Sequence, residues 1–169
     1  MQKLEPPDSH HLDAAIGWLG LGCAGEARLE LEKIAAANRH HADVLEARWT
    51  LCAHEKRWGE ALKIAELELT AAPGNAGGWL HRAYALRRVG DGGLPQAWDA
   101  LLPAAKKFPA EPVIAYNLSC YACQMANLAV AREWLQRAVA AGNKEAIKHK
   151  QMALADDDLK PLWTEIKAL

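Results

Sequence analysis

The segment Trp58-Gly59-Glu60-Ala61-Leu62-Lys63-Ile64-Ala65 carries a motif that recurs along the chain and sets its architecture. Its small central residue, Ala61, has counterparts in Gly25-Glu26-Ala27, Pro95-Gln96-Ala97 and Ala129-Val130-Ala131. From 27 to 61, 61 to 97 and 97 to 131 the steps are 34, 36 and 34 residues. A turn precedes each anchor: Leu21-Gly22, Lys56-Arg57, Val89-Gly90 and Met125-Ala126. An apolar residue follows four positions later (Leu31, Ala65, Leu101, Leu135), and a helix end twelve later (Arg39, Pro73, Pro109, Asn143). Two extra residues in Gly90-Asp91-Gly92-Gly93 account for the longer step, because a glycine-rich turn tolerates insertion. Two short helices per period cannot bury their apolar faces alone, so neighbouring pairs must stack to share a core.

Composition points the same way. The chain has 34 Ala against 5 Val, 6 Ile, 3 Thr and 1 Phe, which favours helices over strands. Its 169 residues suit one ordinary domain. With 20 Lys and Arg against 21 Asp and Glu, the net charge is -1, so no dominant nucleic-acid footprint is expected. Met1 to Pro7 has no apolar stretch behind a basic end, and no signal peptide is expected. The uncharged run Pro112 to Ala131 is long enough for a bilayer but holds Asn117, Ser119, Gln124 and Asn127, and a repeat turn breaks it. No membrane span is expected. The four cysteines lack the spacing of a disulfide frame, so a cytoplasmic location is the default.

The periodicity predicts helices over 9–21, 24–37, 42–55, 58–71, 76–89, 94–107, 112–125 and 128–141. Pro103 is expected to kink the sixth or end it early. Asn143 is positioned to cap a ninth helix from Lys144. Residues 144–169 read as a terminal cap, with Leu159, Leu162 and Trp163 tucked against the last pair. Asp156-Asp157-Asp158 reads as charge at a helix start rather than a metal site.

A 34-residue period of two helices and two turns resembles the tetratricopeptide (TPR) family, in particular small bacterial proteins of that type. The positions carrying the resemblance are Trp79, Ala83, Gly90, Ala97 and Pro109 in the third repeat, and Leu45, Trp58, Ala61 and Pro73 in the second. Ala15, Trp18, Gly22 and Ala27 match in the first, and Leu118, Ser119, Ala131 and Ala138 in the fourth. Trp49, Arg82, Arg39 and Asn143 depart from the pattern. The resemblance implies an all-α, right-handed solenoid of about four helix-turn-helix units plus a C-terminal capping helix. The units would be 8–41, 42–75, 76–111 and 112–143, after an N-terminal tail at 1–7 and before the cap at 144–169.

In that family the first helices line a concave groove. Its expected lining here is Leu12, Asp13 and Ile16, then Asp43, Glu46, Thr50 and His54. Leu80, His81, Tyr84, Arg87 and Arg88 follow, then Val113, Tyr116, Asn117, Cys120 and Gln124. The resemblance therefore implies a protein-interaction module that binds an unidentified peptide or partner domain. Apolar and tyrosine anchors would do the docking, and the arginines would hold a guest carboxylate. The expected guest is an extended or helical segment with apolar anchors, one basic and one acidic feature. Some TPR domains clamp acidic chaperone tails with Lys and Asn, but Leu12, Ile16, Asp43 and Glu46 occupy those places, so that mode is rejected. The alternative is a self-associating scaffold, a homodimer through the uncovered first helix pair.

Chemistry is sparse. Gly17 to Gly25 lacks the Gly-Lys-Ser/Thr ending of a phosphate loop, and no Gly-x-Ser-x-Gly or His-Glu-x-x-His occurs. Cys120-x-x-Cys123 stands alone and reads as two buried side chains. His10-His11 and His40-His41 fall at neighbouring helix ends, yet no carboxylate or Cys completes a ligand set. The expectation is no catalysis, cofactor, metal, nucleic acid or membrane.

Overall fold

A computed structural model describes residues 3–139 and 144–168. Every regular element among the described residues is helical. The chain forms two compact units, Met1–Asp91 and Gly92–Leu169, and the division falls in the glycine-rich turn after Val89.

The first unit holds α1 (Asp8–Gly20), α2 (Ala24–Lys33), a 3-10 turn (Ala36–Asn38), α3 (Ala42–His54), α4 (Trp58–Ala71) and α5 (Gly77–Leu86). Each helix packs on the next in sequence, and α1 also meets α3. One core gathers Leu12, Ala15, Leu19, Ala27, Leu31, Ile34, Val44, Ala47 and Leu51 from α1 to α3. A second joins Leu45, Trp49 and Cys52 to Ala61, Ile64, Ala65 and Ala85. The α4–α5 approach is close at Gly78, where a Cβ would lie 3.1 Å from the Leu69 backbone nitrogen.

The second unit holds α6 (Leu94–Lys107), α7 (Pro112–Gln124), α8 (Leu128–Val139), α9 (Lys144–Ala155), a 3-10 turn (Asp157–Leu162) and α10 (Trp163–Ala168). Helix α7 packs on α6 and α8, and the 3-10 turn lies on α7 and α8. Ser119 inside α7 donates its hydroxyl to the Ala131 carbonyl of α8 at 2.8 Å.

The sequence anchors are alike in their burial. Ala27, Ala61, Ala97 and Ala131 are fully buried, and their partners four residues on, Leu31, Ala65, Leu101 and Leu135, are buried too. Three turns also share one construction. Gly22, Lys56 and Ala126 adopt left-handed backbone at φ 75°, 57° and 60°. The next amide reaches back five residues, Cys23 to Trp18, Arg57 to Cys52 and Asn127 to Ala122, at 2.9, 2.8 and 2.9 Å. This is the Schellman closure of a helix C-terminus. Each following helix then opens with the anchor alanine donating to that same residue: Ala27 to Cys23, Ala61 to Arg57 and Ala131 to Asn127. At the inserted turn, Gly93 takes this role for Ala97.

Some expectations need correction. Helix α2 ends at Lys33, not at 37, and Ile34 turns extended with ψ 129°. The cause is Asp8 at the start of α1, whose carboxylate accepts the Ala35 amide at 3.1 Å and the Asn38 side-chain amide at 2.7 Å. That diversion lets Ile34 drop into the core. Helix α5 stops at Leu86 rather than 89. Helix α6 does not end at Pro103; it runs on to Lys107 with the proline exposed. A proline there removes one amide donor and leaves the Asp99 carbonyl without its helical partner, a local loss on the solvent side. Asn143, expected to cap α9, lies outside the described residues.

Candidate functional site

Helices α1 and α3 form the walls of an open cleft of about 580 Å³. From α1 it is lined by Leu12, Asp13, Ile16, Leu19 and Gly20, and from α3 by Asp43, Glu46, Ala47, Thr50 and His54. All seven groove positions expected from the first two helix pairs therefore meet on one surface. The two helices reach it differently. On α1, Leu12 and Leu19 are core residues whose edges reach the cleft floor, while Ile16, one turn after Leu12, stands 52% exposed. On α3, Asp43 and Glu46 are exposed and one turn apart, and Ala47 closes the floor. Thr50 faces the cleft, but its hydroxyl donates to the Glu46 carbonyl at 3.0 Å. His41 caps α3 by accepting the Asp43 amide at 3.3 Å, and its ring lies 3.7 Å from the Asp43 carboxylate.

The groove positions of α5 go elsewhere in the same unit. His81 stacks flat on Trp49 with ring centroids 3.8 Å apart and 6° between planes. Its Nδ1 lies 2.7 Å from an oxygen of the buried Glu68 on α4. Tyr84 meets the edge of Trp49 and tilts against Trp58, and Arg88 lies over the Tyr84 ring at 3.5 Å. Arg88 also donates to the Tyr84 carbonyl at 3.1 Å. The other Glu68 oxygen and the Trp49 indole nitrogen are buried without a hydrogen-bond partner. Leu80 and Arg87 are half-buried. This is an aromatic layer stiffened by cation–π contact rather than an open arginine pair.

In the second unit the expected groove positions on α7 meet the protein's own tail. The Tyr116 hydroxyl donates to Asp156 at 2.8 Å, and the Cys120 thiol lies 3.6 Å from the same carboxylate oxygen. The other Asp156 oxygen accepts the Asp158 amide at 2.9 Å and so caps the 3-10 turn. Gln124 donates to the Asp158 carbonyl at 3.1 Å. Asn117 bonds back to Val113 within its helix. Burial, reinforced by the Asp156 carboxylate, pushes the Tyr116 phenol far above its ordinary range. Burial also raises the Cys123 thiol, and Asp158 and Asp156 add to the effect. Leu159, Leu162 and Ile166 bury behind this network, and the Trp163 indole donates to the Ala153 carbonyl at 3.0 Å.

Among the described residues, Cys120, Asp156 and Asp158 are the one set of His, Cys, Asp and Glu with three ligand atoms within 4.8 Å of one another. Protein donors already occupy both Asp156 oxygens, which makes the set a fastening of the tail. The paired histidines form no such set: His11 lies 2.8 Å from Glu30 of α2, and His41 caps α3. What the residues alone did not reveal is the Asp156–Tyr116 link. Forty positions separate the two, and no local pattern joins them.

No helix among the described residues is long and apolar enough to cross a membrane. Comparison with protein-family models and with curated proteins finds no match to this chain.

Proposed function

We propose that the chain is a protein-interaction module whose working surface is the α1–α3 cleft, built from about four helix-turn-helix pairs of the tetratricopeptide type. The right-handed solenoid order is what the resemblance implies. Support for the repeat is the common turn at Gly22, Lys56 and Ala126 and the burial of the four anchor alanines. The observation that carries the function is Ile16: a large aliphatic side chain, 52% exposed and lining the cleft. A volume of about 580 Å³ falls in the range of roughly 300–1,000 Å³ that binding clefts occupy. The open floor is aliphatic and helical, which suits a docking side chain.

Selection of displayed peptides against the whole chain tests this. Enriched peptides should lose binding to Ile16→Glu and keep it with Leu67→Glu, a control at an exposed leucine on α4. Peptides that bind both variants alike would refute the assignment.

Self-association is the second reading, favoured by one patch. Trp18 and Leu29, 38% and 59% exposed, line a depression of about 460 Å³ on α1 and α2. Light scattering across a concentration series should then show dimers that Leu29→Glu dissolves. A strict monomer removes this reading.

A further inference from the structure

We infer that the occupant of the α1–α3 cleft is a cationic, aliphatic segment of another protein: an amphipathic stretch with Lys or Arg along one edge and Leu or Ile beside it. The inference rests on the cleft being a docking surface, as proposed above, and adds the chemistry of the guest.

The cleft is chemically lopsided. Asp13 on one wall faces Asp43 and Glu46 on the other, and no Lys or Arg lines it. Three carboxylates thus gather on one surface in a chain whose whole net charge is only -1. Asp13 and Glu46 make no ion pair or side-chain hydrogen bond with any described residue. Asp43 has only the edge of His41, at 3.7 Å. Elsewhere in the first unit the half-buried Glu30 pairs with Lys33 at 2.7 Å and the exposed Glu60 with Arg57 at 2.7 Å. Like charges one turn apart on a helix repel, so Asp43 and Glu46 gain from any cation placed between them. A concave wall of low dielectric concentrates that field.

The apolar component fixes the rest. Ile16 and Leu12 lie one turn apart on α1 and line the same cleft as the acids of α3. A guest covering both walls must present an aliphatic row beside a basic row. A free cation would leave Ile16 in water, and an uncharged apolar segment would leave the carboxylates unpaired.

Calorimetric titration of three otherwise identical amphipathic peptides tests this, each with its polar edge made of Lys, Gln or Glu, followed by amide and methyl shifts of Ile16 and Thr50. The Lys peptide should bind about tenfold tighter than the Gln peptide, as three exposed charge pairs provide, and the Glu peptide weakest. The preference should fade as salt shortens the Debye length from about 10 Å to about 3 Å. In the double variant Asp43→Lys, Glu46→Lys the order should invert, with far-UV circular dichroism unchanged because both positions are exposed. If all three peptides bind the cleft equally, the charge selection is wrong while the docking surface stands. If none shifts Ile16 or Thr50, both are wrong. If Ile16 shifts with protein concentration alone, the occupant is a second copy and the inference is overturned.

Discussion

Replacing Asp156 by Ala should free the C-terminal segment from α7. The carboxylate caps the 3-10 turn through the Asp158 amide at 2.9 Å and accepts the Tyr116 hydroxyl at 2.8 Å. Loss of the cap costs about 1 kcal/mol. A hydrogen bond to a carboxylate contributes about 1.5–3 kcal/mol, and the buried Tyr116 hydroxyl would be left without its acceptor. Together these come to about 3 kcal/mol, or about a hundredfold in the opening equilibrium of the segment. Amide hydrogen exchange reads that equilibrium directly. Protection at Leu159, Leu162 and Ile166, all essentially inaccessible to solvent, should fall about a hundredfold. The exposed neighbour change Asp157→Ala should shift it by less than about 0.5 kcal/mol. Equal effects from the two variants, or unchanged exchange at Leu162, would refute the fastening and leave packing alone to hold the tail.

Leu45→Ala removes a fully buried side chain from the α3–α4 core and should cost about 2–5 kcal/mol in urea unfolding. Leu67→Ala, at 41% exposure, should cost far less, and equal costs would contradict the helix register. The shared turn predicts opposite signs. Gly22→Ala places a Cβ on left-handed backbone and should destabilise by about 1 kcal/mol, whereas Ala126→Gly relieves the same conformation and should raise the melting temperature. Asp8 has its acidity strengthened by the Asn38 amide first and then by the Ala35 amide. A carboxylate depressed in the folded state stabilises above its ordinary value near 3.8 and loses that contribution as pH falls through the lowered one. The melting-temperature gap between wild type and Asp8→Asn should therefore close below about pH 3.8; a gap constant with pH would contradict the linkage.

Local patterns predicted the helices well because their ends are written in neighbouring residues. The left-handed turns at Gly22, Lys56 and Ala126 follow from the 34-residue phase, although only one of the three is glycine. Where prediction fell short, a distant residue intervened. Asp8 ends α2 from twenty-seven positions away, and no propensity at 34–37 records that bond. Pro103 looked like a stop, yet it sits on an exposed turn of α6, where losing one amide bond does not end a helix. Helical spacing puts Leu12, Asp13 and Ile16 on one face of α1, and Asp43, Glu46, Thr50 and His54 on one face of α3; that those faces line a groove is what the resemblance implied. Tyr116 and Gln124 share the corresponding face of α7. That the chain's own Asp156 and Asp158 meet them there depends on tertiary folding across 34 to 40 positions, beyond what periodicity encodes.

The most direct test of the docking surface is a methyl spectrum of the whole chain, titrated with a peptide obtained by display selection. Docking in the cleft should concentrate the shifts at Leu12, Ile16 and Leu19, with Leu67 and Leu159 unmoved. Shifts centred on Leu67 or Leu159, with Ile16 silent at saturation, would contradict it.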